Sequence, residues 1–243
     1  KHRGEVDIKV MFERFVKGPV FSIPILIQGK TIIIFPFCLN IKFKSDIFFK
    51  GFYTSPFIAN QKLRKNIEKN IIVPLVNSLK YFIGNYSGFI TIDVIVENQY
   101  PYVTDVNFEL KPNIAQIIMH SLKSDLFEIM LKTFEYKLYK QKFNWSKEHF
   151  LSFLFHNKNP EIEKFCETFY SQNRYDLNIL RGNIDLLRSK QISSISFKGK
   201  NLEEIYNNVI AKWQEAQLPN ESSIIKKIGQ VKKIIQTMEI PKY

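Results

Sequence analysis

Cysteine, histidine and arginine are scarce in this chain of 243 residues, and each scarcity excludes a kind of function. The two cysteines, Cys38 and Cys166, lie far apart without CxxC spacing, so we expect idle thiols in a reducing, cytoplasmic compartment. The four histidines show no metal-ligand spacing and have no serine or cysteine partner. We therefore expect neither a histidine metal site nor catalysis by a side-chain nucleophile.

Long apolar runs are also missing, since none approaches the ~20 residues of a membrane span, and we expect no membrane partner. The formal net charge of +12 comes mainly from lysine. No basic stripe with interleaved aromatic residues and no reader motif is present, so we do not expect nucleic acid as the partner. The positive field would still attract a small anion. An alternative is a basic α+β protein that binds an anionic partner through residues 62–69 and 226–233, with an affinity that falls steeply with salt and does not depend on Asp93.

Strand and helix patterns predict an α+β fold. Residues 20–27 and 31–37 alternate as a hairpin joined by a glycine turn. Residues 61–83 have helical spacing, and Pro74 predicts a kink or two joined helices there. A second helix is expected over residues 114–139. Residues 5–15 look like a strand, whereas residues 40–55 look irregular.

The character of the chain changes near residue 140. We expect short helices over 144–155 and 160–170, a strand over 191–198, and helices over 201–213 and 222–238. The sequence thus predicts two parts, residues 1–140 and residues 141–243, of which the second is a mostly helical extension with one short strand. Because the chain starts at Lys1 and enters a strand-like segment at once, we expect it to be part of a longer protein.

Residues 88–113 contain the most informative pattern, two strands joined by a short loop. Side chains alternate along a strand, so Asp93 lies on the face opposite to the apolar residues beside it. Folding the pair about Gln99 places Asp93 opposite Asp105, with Asn107 two residues further along. Facing carboxylates repel each other, so this pair favours a hard cation between them. Mg²⁺ takes oxygen ligands of this kind, often together with substrate phosphates. The alternative is a surface hairpin with an acidic polar face.

Two motifs resemble the ATP-grasp superfamily of carboxylate–amine ligases. Residues 11–26, MFERFVKGPVFSIPIL, are similar to the segment of D-alanine–D-alanine ligases that crosses the hinge behind the adenine. Residues 88–113 resemble the metal-binding strands of the same superfamily. The resemblance covers roughly residues 5–130 and implies a large antiparallel sheet flanked by helices, with ATP and Mg²⁺ as cofactors. It implies that residues 1–140 are a nucleotide- and metal-binding subdomain, the C-terminal part of an ATP-grasp fold. It also implies a small-molecule carboxylate and an amine as substrates, joined through an acyl phosphate.

The resemblance also implies roles for individual residues. Glu13 would accept a hydrogen bond from the adenine amino group. The backbone of Arg14 and Phe15 would bind the adenine edge, and Val16 would pack on the ring. Lys50 would be the catalytic phosphate ligand, with Lys42 and Lys44 as competing candidates, and the three hairpin residues would hold Mg²⁺.

Three positions depart from the superfamily pattern. Val20 stands where a glutamate often holds the ribose. Thr91 and Glu109 stand where the resembling ligases have basic residues that stabilise transferring phosphate. These departures favour a divergent substrate, or an inactive member that serves as a binding or scaffold module.

Overall fold

The computed structural model describes residues 14–43, 46–54, 61–83, 86–122, 126–135, 145–156, 192–219 and 223–237, together with Glu161 and Lys164. The strands are β1 (Val20–Gln28), β2 (Thr31–Ile34), β3 (Cys38–Phe43), β4 (Asp46–Thr54), β5 (Ser87–Glu97), β6 (Tyr100–Asn107), β7 (His149–His156) and β8 (Ile192–Gly199). The helices are α1 (Gln61–Ile67), α2 (Val73–Ile83), α3 (Pro112–Ser121), α4 (Leu126–Phe134), α5 (Leu202–Glu215) and α6 (Ser223–Thr237).

The strands form one eight-stranded sheet in the order β6-β5-β1-β3-β4-β7-β8, with β2 paired to the second half of β1. Every pairing in it is antiparallel. Helices cover both faces of the sheet. The fold is therefore a large antiparallel sheet flanked by helices, which confirms the predicted α+β class.

Alternation along the strands creates two cores. Ile23 and Ile25 of β1 join the first core, under α1, α2, α5 and α6. Leu26 points to the other face, into the second core under α3 and α4. Cys38 also lies in the second core, fully buried, and burial strongly raises the pKa of its thiol.

Several sequence predictions are confirmed. The hairpin over residues 20–37 is β1–β2, and the strand over 191–198 is β8. The helix over 201–213 is α5, and Asn201 caps it, since its side chain accepts a hydrogen bond of 2.9 Å from the Glu204 amide. The helix over 222–238 is α6.

The region around Pro74 forms two helices joined by a π turn. The π turn covers Glu68–Ile72, between α1 and α2. Proline removes an amide donor and crowds the preceding turn, and the wider π turn accommodates this defect. The prediction of a kink or two joined helices is therefore confirmed, and the π turn is the joint between the two helices.

Three secondary-structure predictions are wrong. Residues 40–55, expected to be irregular, belong largely to β3 and β4, because aromatic residues between the lysines favour a strand. Residues 144–155, expected to be helical, contain β7, since a short apolar run does not distinguish a strand from a buried helix. The helix expected over 114–139 is two helices, because the backbone of Leu122 is extended and forms an isolated β-bridge with Trp145.

The sheet continues past residue 140, because β7 pairs with β4 on one side and β8 on the other. The division of the chain at residue 140 stays a prediction. The strand predicted over residues 5–15 and most of the helix predicted over 160–170 lie outside the described residues. Within the described residues, no helix has both the length and the apolar character to cross a bilayer.

Candidate functional site

The β5–β6 hairpin turns at two residues, Asn98 and Gln99. Both have positive φ angles, 50° and 67°, as the tight turns favoured in hairpins require. Glu97 therefore pairs with Tyr100, and the loop is centred between Asn98 and Gln99. The expected loop centred on Gln99 itself is wrong.

Asp93 nevertheless pairs directly with Asp105, as predicted, because the register shifts further along the hairpin. Val94 pairs with Val103, the next pair is Asp93 with Asp105, and Thr104 is left as a β-bulge between them. The Thr104 hydroxyl donates a hydrogen bond of 3.1 Å to the Asp93 carbonyl oxygen and holds the bulge. The turn shifts the pairing by one residue from the expected register, and the bulge shifts it back by one residue. Asp93 therefore still pairs with Asp105.

A row of polar groups runs from Asp93 across the second face of the sheet. Ser22 lies opposite Asp93 on β1, is fully buried, and donates a hydrogen bond of 2.6 Å to Asp93 Oδ1. The Asn40 side-chain amide on β3 donates to the Ser22 hydroxyl at 2.8 Å. Each group fixes the next, so the Asp93 carboxylate is held in one orientation.

The second carboxylate oxygen of Asp93 pairs with a cation that the sequence reasoning missed. Lys111 Nζ lies 2.6 Å from Asp93 Oδ2, and both side chains are largely buried. Lys111 occupies the N-cap position of α3, directly before Pro112. Its signal in the sequence was a lysine four residues after Asn107, just before the proline that starts a helix.

Asp105 and Asn107 complete the cluster at the edge of the sheet. The Asn107 side-chain amide donates to Asp105 Oδ2 at 2.8 Å, and the Val106 amide donates to Asp105 Oδ1 at 2.9 Å. With Asp93, these residues offer two carboxylates and an amide oxygen, a donor set that fits Mg²⁺ bound together with phosphate oxygens. Among the described residues, no group of three or more His, Cys, Asp or Glu side chains could hold a metal by itself.

The segment before β1 packs against the turn end of this hairpin. Arg14 pairs with the Glu97 carboxylate, and the Lys17 amide donates to the same carboxylate at 3.2 Å. The Val96 amide donates to the Pro19 carbonyl oxygen at 3.0 Å. The structure thus brings the two motifs together.

The remaining residues expected to bind adenine differ in their exposure. Phe15 is 80% exposed and Val16 is half-buried. A half-buried apolar side chain suits one side of a purine ring. Glu13 lies outside the described residues.

Lys50 lies on β4, where its backbone pairs with Lys42 of β3. Lys42 is two residues beyond Asn40 on β3, so both lysines are register neighbours of the polar row. The structure describes their backbone only, and Lys44 lies outside the described residues. The choice of Lys50 over its two competitors stays a prediction.

The structure shows the neighbours of Val20, Thr91 and Glu109, the three residues that depart from the superfamily pattern. Val20 pairs with Asn40 and Ile95 on neighbouring strands. Thr91 is fully buried, and its hydroxyl donates a hydrogen bond of 2.7 Å to the Glu109 carbonyl oxygen. This bond ties down the loop between β6 and α3, and the Glu109 side chain is exposed. Lys111 follows in the same loop and supplies a positive charge to the cluster.

Sequence comparison finds distant relatives among ligases. No family model matches the chain. The phosphoribosylamine–glycine ligase of Pasteurella multocida is 26% identical over 154 residues, which are 60% of this chain and 35% of that enzyme. The same enzyme of Haemophilus influenzae is 28% identical over 144 residues, 56% of this chain and 33% of that enzyme. The chain thus spans about a third of the length of the curated relatives it matches.

Structural comparison finds similar folds among solved ligases and synthetases. The L-amino acid ligase of Bacillus licheniformis superposes with a TM-score of 0.51 at 13% identity, covering 84% of this chain and 53% of that enzyme. The N5-carboxyaminoimidazole synthetase of Staphylococcus aureus in complex with ADP superposes with a TM-score of 0.51 at 12% identity, covering 84% and 52%. Both the curated relatives and these structural neighbours are ATP-grasp enzymes. The resemblance to the ATP-grasp superfamily is confirmed, and the chain has the ATP-grasp fold.

Proposed function

We propose that this chain is the nucleotide- and metal-binding part of an ATP-dependent ligase that joins a small-molecule carboxylate to an amine. The observation that carries the proposal is the polar cluster of Asp93, Asp105 and Lys111 beside the segment that packs on Val96. The likeness to enzymes named as ligases, and to a synthetase solved with ADP, supports the reaction class and the nucleotide.

In the proposed reaction, an oxygen of the substrate carboxylate attacks the γ-phosphorus of ATP. The bond from that phosphorus to the β–γ bridging oxygen breaks, which gives an acyl phosphate and ADP. The amine then attacks the acyl carbon, and the bond from that carbon to the phosphate oxygen breaks. Phosphate leaves, the nitrogen gives up a proton, and an amide forms. Positioning and charge neutralisation can drive both steps, so no side-chain nucleophile is needed.

Asp93, Asp105 and Asn107 are the proposed Mg²⁺ ligands. Mg²⁺, when bound, supplies charge neutralisation at the phosphates. Ser22 fixes Asp93 by its hydrogen bond of 2.6 Å, as groups behind a metal ligand do when they orient it.

Lysines are the proposed anion ligands. Lys111 reaches the cluster from the start of α3 and contributes the positive charge that Thr91 and Glu109 do not. Lys50 is proposed to bind phosphate from β4. An ammonium acts on phosphate as a point charge, so neither lysine needs the fork geometry of an arginine.

The adenine is proposed to lie against the segment that starts at Arg14. The backbone of Arg14 and Phe15 would bind the adenine edge, and Val16 would cover the ring. Pairing of Arg14 with Glu97 fixes this segment to the hairpin that carries Asp93. Nucleotide and metal would therefore meet along one edge of the sheet.

Calorimetry with Mg-ATP tests the proposal. The double variant Asp93→Asn with Asn107→Ala should lose measurable binding, because it removes one carboxylate and the amide from the metal site. Glu128→Gln is the matched control, since it removes the charge of an exposed glutamate that pairs with Lys132 on α4. Unchanged ATP affinity in the double variant would falsify the site assignment.

A second function is favoured by Thr91 and Glu109, which are not basic although the resembling ligases have basic residues at these two positions. In this alternative the chain binds nucleotide but does not turn it over, and serves as a scaffold. Release of ADP during incubation with Mg-ATP and a pool of amino acids and peptides distinguishes the two. Binding without release under every pool favours the scaffold, whereas release that depends on one carboxylate favours the ligase.

A further inference from the structure

A cavity of about 320 Å³ lies at the end of β2, apart from the polar cluster at Asp93. It is formed where the connection between β2 and β3, the end of β4, α1 with the π turn, the end of α3 and the segment that leads into β7 meet. None of the residues of the Asp93 cluster lines it. Its volume is at the lower end of the range of about 300–1,000 Å³ typical of small-molecule sites.

Aromatic side chains form one wall of the cavity. Phe35 and Trp145 pack edge to face, with ring centroids 5.5 Å apart. Phe150 is buried beside them in the second core. Rigid rings of this kind provide an apolar surface that a ligand can cover at little entropic cost.

Arg64 supplies the cationic part of the cavity. Its guanidinium lies 5.2 Å from the centroid of the Phe37 ring, which fixes its position. Burial lowers the pKa of Arg64, so this cation is partly removed from water. A partly desolvated guanidinium is a strong donor for a carboxylate.

The cavity also contains carboxylates and hydroxyl groups. Glu68 and Glu148 contribute carboxylates. The hydroxyl protons are already committed, since Thr54 donates to the Phe37 carbonyl oxygen at 2.7 Å and Ser146 donates to Glu148 at 3.1 Å. Among the described residues that line it, the cavity therefore combines one cation, two carboxylates and an aromatic wall.

We propose that this cavity is a binding site for a small zwitterion, an α-amino acid with an apolar or aromatic side chain. The ligand carboxylate would bind Arg64, and its ammonium group would bind Glu148 and Glu68. Its side chain would pack against Phe35 and Trp145. The site is separate from the proposed nucleotide site and does not depend on the ligase function.

The test is calorimetry on the full chain with L-phenylalanine and L-leucine as probes. We expect saturable binding of both. Phenethylamine lacks the carboxylate and 3-phenylpropionate lacks the amine, so each should bind about tenfold more weakly than L-phenylalanine, the loss of one charged hydrogen bond.

Variants identify the cavity as the place of binding. Glu148→Gln and Arg64→Lys should each weaken L-phenylalanine binding about tenfold, because the first removes a carboxylate charge and the second removes the forked pair of donors that binds a carboxylate. The double variant Asp93→Asn with Asn107→Ala should bind L-phenylalanine like the wild type, which separates this site from the nucleotide site. A melting curve of each variant without ligand shows whether it is folded. If Arg64→Lys does not fold, Glu148→Gln alone tests the location of the site.

Three results would overturn the proposal. The first is no saturable binding of either amino acid. The second is equal binding of L-phenylalanine, phenethylamine and 3-phenylpropionate, which would indicate an apolar cavity without recognition of charge. The third is unchanged affinity in folded Glu148→Gln.

Discussion

Lys111 Nζ lies 2.6 Å from Asp93 Oδ2, so the carboxylate that faces Asp105 across the hairpin is paired with a cation from its own chain. The pair joins the centre of β5 to the start of α3, 18 residues later. It relieves the repulsion between the facing carboxylates. It also places an ammonium group beside the proposed metal ligands, where a substrate anion would arrive.

This pair should contribute to stability. In a double-mutant cycle with Lys111→Met and Asp93→Asn, we expect a coupling energy of about 1–3 kcal/mol, the range for hydrogen bonds between charged groups that are largely out of water. Denaturant unfolding of the four proteins measures it.

The Lys132–Glu128 pair on α4 is the matched control. Its atoms lie 2.5 Å apart, but its side chains are 36% and 54% exposed. We therefore expect a coupling below about 1 kcal/mol for this pair. Equal couplings for the two pairs would contradict a special role for the contact between Lys111 and Asp93.

The Asp93–Asp105 pairing shows what the sequence could and could not predict. Alternation of apolar residues placed Asp93 on the correct face of β5. The turn at Asn98 and Gln99 and the bulge at Thr104 each shift the register by one residue, and the two shifts cancel at Asp93. A bulge depends on how the strand packs in the sheet, so local sequence does not reveal it.

Central strands and distant contacts were the hardest to predict. The segment HFLSFLFH of β7 is too short and too apolar for its period to be measured, and only pairing with β4 and β8 decides its state. Ser22 and Asn40 are ordinary strand residues in the sequence. They become part of the site because the order β5-β1-β3 brings them beside Asp93.

Gly18 should be required for the contact between the first motif and the hairpin. A Cβ atom at this position would lie 1.9 Å from the Val96 carbonyl oxygen, which is backbone and cannot move alone. Gly18→Ala should therefore displace the segment around Arg14 and lower the free energy of unfolding by about 1–3 kcal/mol, as overpacking does. Mg-ATP affinity should fall as well if this segment binds adenine.

Gly29→Asn is the control for a glycine substitution. Gly29 has a φ of 54°, and a Cβ atom added to it would have no neighbouring atom within 4 Å. Asparagine tolerates this backbone region better than most residues. We expect only a small change in stability and none in nucleotide affinity. Equal effects of the two substitutions on affinity would contradict the role given to the contact between Gly18 and Val96.

His149 should make stability depend on pH. Its Nδ1 lies 2.5 Å from the hydroxyl of buried Tyr53, and burial lowers the pKa of His149 below its usual value near 6.5. The unfolded chain therefore binds the proton more readily than the folded one. The stability contribution is complete above about pH 6.5 and is lost as the pH falls through the folded-state pKa.

Urea unfolding between pH 8 and pH 5 measures this dependence. His149→Gln should show a smaller loss of stability on acidification than the wild type, because the titrating group is gone. Tyr53→Phe keeps the histidine and its burial, so its free energy of unfolding should still decrease on acidification, as in the wild type. An identical pH profile for His149→Gln and the wild type would contradict the assignment.

Ser22 should act on metal binding through Asp93. It is fully buried, and its hydroxyl links the Asn40 amide to the Asp93 carboxylate. Ser22→Ala should weaken Mg²⁺ binding in the presence of ATP by about 10–100-fold, the effect typical of groups that orient metal ligands. Calorimetric titration of Mg²⁺ at a constant concentration of ATP measures this change in affinity.

Thr54→Val separates this effect from a general loss of stability. Thr54 is also buried, and its hydroxyl also donates one hydrogen bond, to the Phe37 carbonyl oxygen at 2.7 Å. Both substitutions should lower the free energy of unfolding by about 1–2 kcal/mol, since each removes a partner from a buried polar group. Only Ser22→Ala should weaken Mg²⁺ binding, because only Ser22 contacts a proposed metal ligand. If both variants bind Mg²⁺ equally well, the row from Asn40 to Asp93 stabilises the sheet and does not position the metal.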